Sequence, residues 1–399
     1  MRARSAVARG RTGVQMAHFK LPAGVRDILP EECRKLGAAE EKLRAKFEGA
    51  GFNFVRTAGL EYYDTFACVE SPIEQTKMFK MTDRDGNLIV LRPDMTLACA
   101  RIAATKLRRD RAKLCYFSHV YDFSGGGNSD REVCQAGVEI FGEPGAFADA
   151  YAIAFAADCL RAIGLENFII DVGHVGFYKG LLEESGLDGA ASEEIRGYIN
   201  AKDSVNTEIA LKKYGASARA QAAILALPAL FGGADILREA EKLTDNALAL
   251  SALSHLQKVY GYLCEMGMEK YVSFDLGTVK SLAYYSGIVF TGLAEGVGSP
   301  VLSGGRYDGL CARFGKELSA VGFAIGMMRA LAAIEGQPAA LPCAAIVCEA
   351  GGEKNGYAAY AEMTKQGRRC DLFAGENAAM PAAGYAEVYR ATAKGVEKC

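Results

Sequence analysis

Tryptophan is absent from this 399-residue chain, and histidine occurs only four times. Around His174 no second histidine or paired cysteine stands at metal-ligand spacing, so no metal centre is expected; no cofactor is expected either. The twelve cysteines include no C-x-x-C pair. Several of them sit inside apolar patterns, where cysteine behaves as a small hydrophobe, which fits a reducing cytoplasm better than secretion. No apolar run approaches the ~18 residues that span a bilayer, so no membrane segment is expected. Charge of one sign is not in excess: 46 basic residues face 48 acidic ones, a net −2, which argues against broad nucleic-acid binding. The first fifteen residues carry Arg2, Arg4, Arg9 and Arg11 but no acid and no apolar centre, so they are not a secretory signal. Residues 1–17 read as a disordered extension, or as the product of a start assigned upstream of Met16.

What is present suits a large main domain with one or two smaller units. Half of the residues are hydrophobic and 24% are charged, as in ordinary globular proteins. Pro30, Glu31 and Glu32 mark a helix start, Leu36, Ala39, Leu43 and Phe47 recur at helical spacing, and Gly49 and Gly51 close the element. A strand is expected over Val55–Ala58. The runs 79–82 and 88–91, joined through Asp85-Gly86, predict a hairpin. Arg92-Pro93-Asp94-Met95-Thr96 then leads into a helix over 97–107, with an Asx or N-cap turn as the plain reading of Asp94. Residues 114–123 and 132–142 predict two strands around the glycine-rich loop 124–131, which ends in Arg131. An apolar helix over 149–163 and a strand over 168–174 follow. Residues 176–268 read as helical, with breaks at Gly186, Gly215, Pro228 and Gly232-Gly233. From Leu341 the pattern predicts strand, helix, short strand and a last helix over Ala386–Lys394.

The stretch Val272–Ile334 organises the chain. Leu282, Tyr284, Ile288 and Phe290 alternate as in a half-buried strand, and Ser303–Gly309 is read as a glycine-dense turn. A strand over 321–325 then meets Gly326 and a helix carrying Arg329, where an anion or a purine ring could sit. The segments DLGTVKSLAYYSGIVF and GGRYDGL with AVGFAIGMMR resemble the two signature segments of the histidyl-tRNA synthetase catalytic core. That resemblance implies an α+β class: a class II aminoacyl-tRNA synthetase-like antiparallel sheet flanked by helices. The core would occupy 18–175 and 269–336, a helical insertion 176–268, and a small, truncated α/β unit 341–399. Residues 30–58 resemble motif 1, which forms a homodimer interface, although Ala58 stands where the family usually has proline.

The resemblance assigns a histidine pocket. Asp94 and Thr96 match the turn that holds the ligand amino group, Gln135 holds the same group, Glu139 accepts an imidazole N–H, and Tyr285, beside Tyr284, closes the other side of the ring. The plain alternative makes Glu139 a paired half-buried carboxylate and Tyr285 a core aromatic. Lys280 replaces the family's catalytic arginine, keeping the charge but losing the bidentate fork. In motif 2, Asp122 stands at the position of the arginine that grips the ATP α-phosphate, and Ser124 at that of the acid that engages adenine. A unit pair ~4 Å apart at an effective dielectric near 20 is worth roughly 4 kcal/mol, and an acid in place of a cation reverses its sign. Arg131, Arg306 and Arg329 remain as possible nucleotide or anion ligands, though Arg306 can equally brace its turn and Arg329 cap a strand.

A preserved amino-acid pocket beside damaged ATP machinery and a short tail is similar to the ATP phosphoribosyltransferase regulatory subunits, a paralogous family. The resemblance implies a non-catalytic protein that binds L-histidine and assembles with a short-form catalytic phosphoribosyltransferase into a hetero-octamer for feedback control; tRNA binding is not expected. A divergent histidyl-tRNA synthetase, and a paralogue given another amino-acid sensing or modifying task, are the other readings.

Overall fold

A computed structural model of the chain describes residues 20–67, 74–123, 130–277, 285–334, 343–374 and 384–399. The expected extension 1–17, the loop 124–129 and the expected strand positions Leu282 and Tyr284 lie outside them, as does Lys280. The chain divides into two compact units, 1–335 and 336–399.

The first unit opens with helix α1 (Pro30–Gly49), whose first turn holds proline, which needs no amide donor there, and two acids at the positive end of the helix dipole. It buries Ala39, Leu43 and Phe47. Next comes β1 (Asn53–Phe54), so the strand expected over Val55–Ala58 is only a two-residue stub placed earlier. The reason is local: past Val55, the carbonyls of Thr57 and Ala58 accept from the Arg92 guanidinium rather than from a ladder. Strands β2 (Leu60–Tyr62), β3 (Lys80–Thr82) and β4 (Leu88–Leu91), with the one-turn helix α2 (Tyr63–Phe66) after β2, make a small antiparallel sheet in the order β2-β4-β3 that contains the expected hairpin. Helix α3 (Thr96–Thr105) leads to the ten-residue strands β5 (Ala112–Tyr121) and β6 (Glu132–Phe141).

Helix α4 (Ala146–Ile163) and strand β7 (Phe168–His174) precede the helical segment. That segment comprises α5 (Val175–Ser185), α6 (Gly189–Asn200), α7 (Ser204–Lys213), α8 (Ala218–Ala226), the short strand β8 (Phe231–Gly232), α9 (Asp235–Glu241) and α10 (Ala247–Glu265). Its glycine breaks are physical: Gly186 ends α5 at φ 70°, a left-handed conformation that other residues adopt at a cost. Strands β9 (Val272–Asp275), β10 (Ile288–Ala294), β11 (Leu302–Arg306) and β12 (Ala320–Gly326) then return to the main sheet, and α11 (Met327–Ala332) follows. The sheet order is β1-β5-β6-β12-β11-β10-β7-β9-β8. Its central pairings are all antiparallel, and only β1 with β5 and β7 with β9 run parallel.

Two cores follow from strand alternation. Val138, Ile140, Phe290, Val321 and Phe323 face α1, α4 and α10 on one side, while Leu114, Tyr116, Phe141, Tyr307 and Ala320 face α3 on the other. The glycine-dense stretch read as a turn is instead strand β11 through Arg306, and the turn begins only at Tyr307. Glycine is required there by close packing. A Cβ on Gly304 would come within 2.5 Å of the Phe290 ring, and one on Gly305 within 2.5 Å of the Tyr285 ring.

The second unit has β13 (Cys343–Cys348), α12 (Glu353–Lys365), β14 (Arg369–Ala374), β15 (Glu387–Thr392) and β16 (Gly395–Lys398), in the sheet order β14-β13-β15-β16. The expected last helix over Ala386–Lys394 is therefore a strand. Val388, Tyr389 and Thr392 favour the pleat, Ala391 is buried, and Gly395, at φ 149°, lets the chain double back into β16.

On the helix-covered face, Asp149 of α4 is fully buried between two partners. Arg306 donates to its Oδ1 from Nε at 2.7 Å, and His255 Nε2 lies 2.6 Å from its Oδ2. Removing one partner of such a buried pair strands the other charge. The expected cost of Asp149→Ala is roughly 3–5 kcal/mol. The apolar double replacement Asp149→Leu with Arg306→Met should recover most of it, as read from urea midpoints.

Candidate functional site

Strands β6, β12 and β11 lie side by side, with Glu139 paired to Gly322 and Gly322 paired to Gly305. Across this row only Glu139 carries a side chain, and the two glycines leave a bare floor beside it. The carboxylate lies down over that floor: a Cβ on Gly322 would sit 2.1 Å from Glu139 Oε2. Tyr285 lies over Gly305, and on the next row Tyr116 covers Gly137, whose Cβ would fall 2.3 Å from the phenol oxygen.

Glu139 is almost wholly buried, at 1% exposure, and three hydroxyl groups bind it. Thr96 Oγ1 donates to Oε1 at 2.8 Å, Tyr116 donates to Oε1 at 3.3 Å, and Tyr307 donates to Oε2. Burial pushes this carboxyl up to about 8 in spite of those bonds, and the nearby acid Asp94 adds to the rise. Asp94 itself is pushed up to about 6 by burial, against backbone N–H groups of Leu97 and Thr96 that pull it down. Its Oδ1 accepts from Leu97 N at 2.7 Å, as an Asx or N-cap turn before the helix expects. Burial, with Asp94 and Glu139 close by, holds the Tyr285 phenol far above its usual range. Asp94, Thr96, Glu139 and Tyr285 thus share one half-buried neighbourhood.

Gln135 lies on the same face of β6, four residues before Glu139 and about 13 Å along the strand at ~3.3 Å per residue. Its neighbours in register are Ser118 and Gly326. Lys280 and Tyr284 are outside the described residues. Arg131 enters β6 with its guanidinium over the Phe123 ring at 5.2 Å. Arg306 points to the opposite face, where Asp149 and Asp308 hold it, as the bracing alternative expects. Arg329 borders a cavity of about 760 Å³ with Arg26, His119, Asp130, Glu132 and the backbone of Gly298 and Gly326; Asp94, Thr96, Glu139 and Tyr285 do not border it. Asp122 follows β5 directly, and its N–H donates to the Arg131 carbonyl. Among the described residues no cluster of three His, Cys, Asp or Glu could hold a metal, and no helix is long and apolar enough to cross a membrane.

Sequence reasoning passed over Tyr116 and Tyr307, the hydroxyls that hold Glu139, and Arg92. The Arg92 guanidinium is buried and donates to Thr57 O, Ala58 O and His119 O, tying the turn before Asp94 to β5. The signal for Tyr307 was its parity: one residue after Arg306 on an extended segment, it must face the other side.

The family model for histidyl-tRNA synthetase matches residues 24–330. A regulatory subunit of ATP phosphoribosyltransferase from Acetivibrio thermocellus is 42% identical over 81% of this chain and 78% of its own length. Its counterpart from Ruminiclostridium cellulolyticum is 39% identical over 80% and 78%. Among solved structures, an ATP phosphoribosyltransferase regulatory subunit/histidyl-tRNA synthetase from Bacillus halodurans superposes with a TM-score of 0.85 at 29% identity, covering 94% of this chain and 98% of that one. A histidyl-tRNA synthetase from Nostoc, 18% identical with a TM-score of 0.73 over 90% and 86%, shares the fold.

Two measurements check the site's construction. Gly322→Ala must displace Glu139 or the strand and should cost roughly 1–3 kcal/mol of stability. Gly261→Ala, in open space on α10, should instead stabilise by roughly 0.5–1 kcal/mol. Because the Glu139 carboxyl rises from 4.5 to about 8 on folding, its contribution is full below pH 4.5 and is lost as pH rises to 8. The difference in stability between the native chain and Glu139→Gln should therefore shift by about 1.4 kcal/mol per pH unit in that window and flatten above it.

Proposed function

Because this chain belongs to the histidyl-tRNA synthetase family, and within it to the ATP phosphoribosyltransferase regulatory subunits, we propose that it is a cytoplasmic histidine sensor. In this reading it is the non-catalytic partner of a separate phosphoribosyltransferase chain. Free L-histidine would lie over Gly322 and Gly305 with its imidazole N–H on Glu139, its ring against Tyr285, and its ammonium toward Asp94, Thr96 and Gln135. Lys280 and Tyr284 complete the set by resemblance.

The single observation that carries the proposal is the environment of Glu139. It is a buried carboxyl held only by hydroxyls, with no cation of the protein bonded to it among the described residues. Such a group gains most from a ligand that brings an N–H donor or a positive charge. Among the described residues, two of the positions expected for phosphate chemistry do not favour it: Asp122 brings an acid to the end of β5, and Arg306 is spent on Asp149 and Asp308.

Feedback then follows from linkage. Histidine must favour one state of the hetero-octamer, in which this chain pairs as a homodimer through its synthetase-like core and contacts short-form catalytic subunits. A coupling of ~1–3 kcal/mol is sufficient for useful control. Neither tRNA nor a membrane is needed.

Calorimetry of the purified chain with L-histidine should show one site per chain, and Glu139→Ala should weaken it roughly ten- to hundredfold, the worth of a charge-assisted hydrogen bond. Added to the short-form transferase, the chain should co-purify with it and make its activity fall along the same histidine titration. A transferase indifferent to histidine would rule out the feedback role. A second reading, a divergent synthetase, is kept by Arg329 beside its cavity. Histidine-dependent exchange of pyrophosphate into ATP would favour it, and none is expected.

A further inference from the structure

One wall of the pocket, Tyr285, stands outside the sheet ladder, and what fixes it supports an inference that rests on reading this pocket as a histidine site. Glu139 lies over Gly322 of β12, and Tyr285 lies over Gly305 of β11. The two glycines are partners in register, one strand spacing or ~4.8 Å apart. A flat ring bonded to Glu139 therefore lies against the Tyr285 ring, and the gap between the two rings depends on how the chain before β10 is held.

Strand β10 enters its ladder with β11 only at Val289, opposite Gly305. Ahead of that point Ser286 makes the attachment. Its N–H donates to the Arg306 carbonyl at 2.8 Å, and its Oγ accepts from the Asp308 N–H at 2.9 Å. Gly287 then rests on the Arg306 stem, where a Cβ would press on Cδ at 3.1 Å. Asp308 is held in turn from two sides: its Oδ1 accepts from Arg306 Nη1 at 2.9 Å and from the Ala320 N–H at 2.8 Å. One carboxylate thus joins the exit of β11 to the entry of β12, and one hydroxyl hangs the segment before β10 on that junction. Tyr285 and Tyr307 are each one residue away from a member of this bracket.

We propose that Ser286 and Asp308 are positioning residues for the ligand site: they hold Tyr285 at stacking distance from a ring bound on Glu139, and they act through Tyr285 without touching the ligand. The hydrogen bonds to Glu139 come from Thr96, Tyr116 and Tyr307, not from this bracket. Stacking is sensitive to such a support, because a gap of roughly 0.5–1 Å already forfeits a quarter to a half of the attraction between two surfaces. Loosening the bracket therefore weakens binding while every group that meets the ligand is kept. Ser286 is exposed, so its substitution opens no cavity in the core.

Calorimetric titration of the full chain with L-histidine reads the effect. Ser286→Ala should weaken binding roughly three- to tenfold, the worth of one neutral hydrogen bond, and Ser286→Thr, which keeps the hydroxyl, should restore it. Asp308→Ala should weaken binding by roughly tenfold, whereas Asp308→Asn, which keeps an acceptor for the Ala320 N–H, should stay within about threefold of the native chain. A double-mutant cycle separates positioning from general support. In a Tyr285→Ala background, Ser286→Ala should cost less than about twofold, since the wall it holds is gone. The full loss persisting there, or Asp308→Asn as damaging as Asp308→Ala, would overturn the inference while leaving histidine binding intact. So would Ser286→Ala and Asp308→Ala chains that bind histidine as the native one does and show only a lower urea midpoint. Failure of the native chain to bind L-histidine, by calorimetry and by equilibrium dialysis, would overturn the histidine reading itself and this inference with it.

Discussion

A carboxyl group in the middle of a β-sheet needs room to lie down, and the missing side chains of Gly322 and Gly305 provide it. With any other residue at Gly322, the strand would meet Glu139 Oε2 at 2.1 Å. The carboxylate would then stand up into Tyr116, Tyr307 and Thr96 instead of being held by them. The glycines weaken β11 and β12 as isolated strands, since they lose entropy on folding and bury no side chain. That loss is offset by the aromatic rings laid across them: Tyr116 on Gly137, Phe290 on Gly304 and Tyr285 on Gly305.

The same strands serve two masters. Along β11 and its continuation, Arg306 and Tyr307 are consecutive and so point to opposite faces. Arg306 fixes the strand to α4 and, through Asp149, to His255 on α10, while Tyr307 fixes Glu139 on the face toward α3. A shift of β11 along its axis would break both attachments together. The position of Glu139 is therefore referenced to the helical layer behind the sheet as well as to its own strand, a rigid support of the kind a selective pocket needs.

Much of this was legible in the residues. The strand runs on either side of the glycine-rich loop, the proline-led start of α1 and the Asp-Gly hairpin are local signals, and the structure follows them. Even spacing was enough to place Gln135 and Glu139 on one face. What local reading lost was anything decided across the sheet. Gly304 and Gly305 look like a turn in one dimension, because the rings that need their bare backbone, Phe290 and Tyr285, come from another part of the chain. Tyr116 looks like core until Gly137 is found beneath it. In the second unit, Ala386, Ala391 and Lys394 carry helix propensity, but β15 is drawn into extended form by pairing with β13 and β16, where tertiary hydrogen bonding outweighs a few tenths of a kcal/mol per residue.

Buried charge divides the molecule into what is finished and what is open. Asp149 has a guanidinium on one oxygen and an imidazole on the other, and the Arg92 guanidinium is bonded by three backbone carbonyls. Both groups are satisfied inside the protein, and neither needs a ligand. Glu139 differs in kind. Hydroxyls orient it without neutralising it, burial disfavours its ionised form, and Asp94 beside it deepens the deficit. Two acids held close together are costly to the empty fold even with the Arg92 charge favouring ionised Asp94. In the function proposed above, a ligand carrying both an ammonium and an imidazole would make the arrangement favourable.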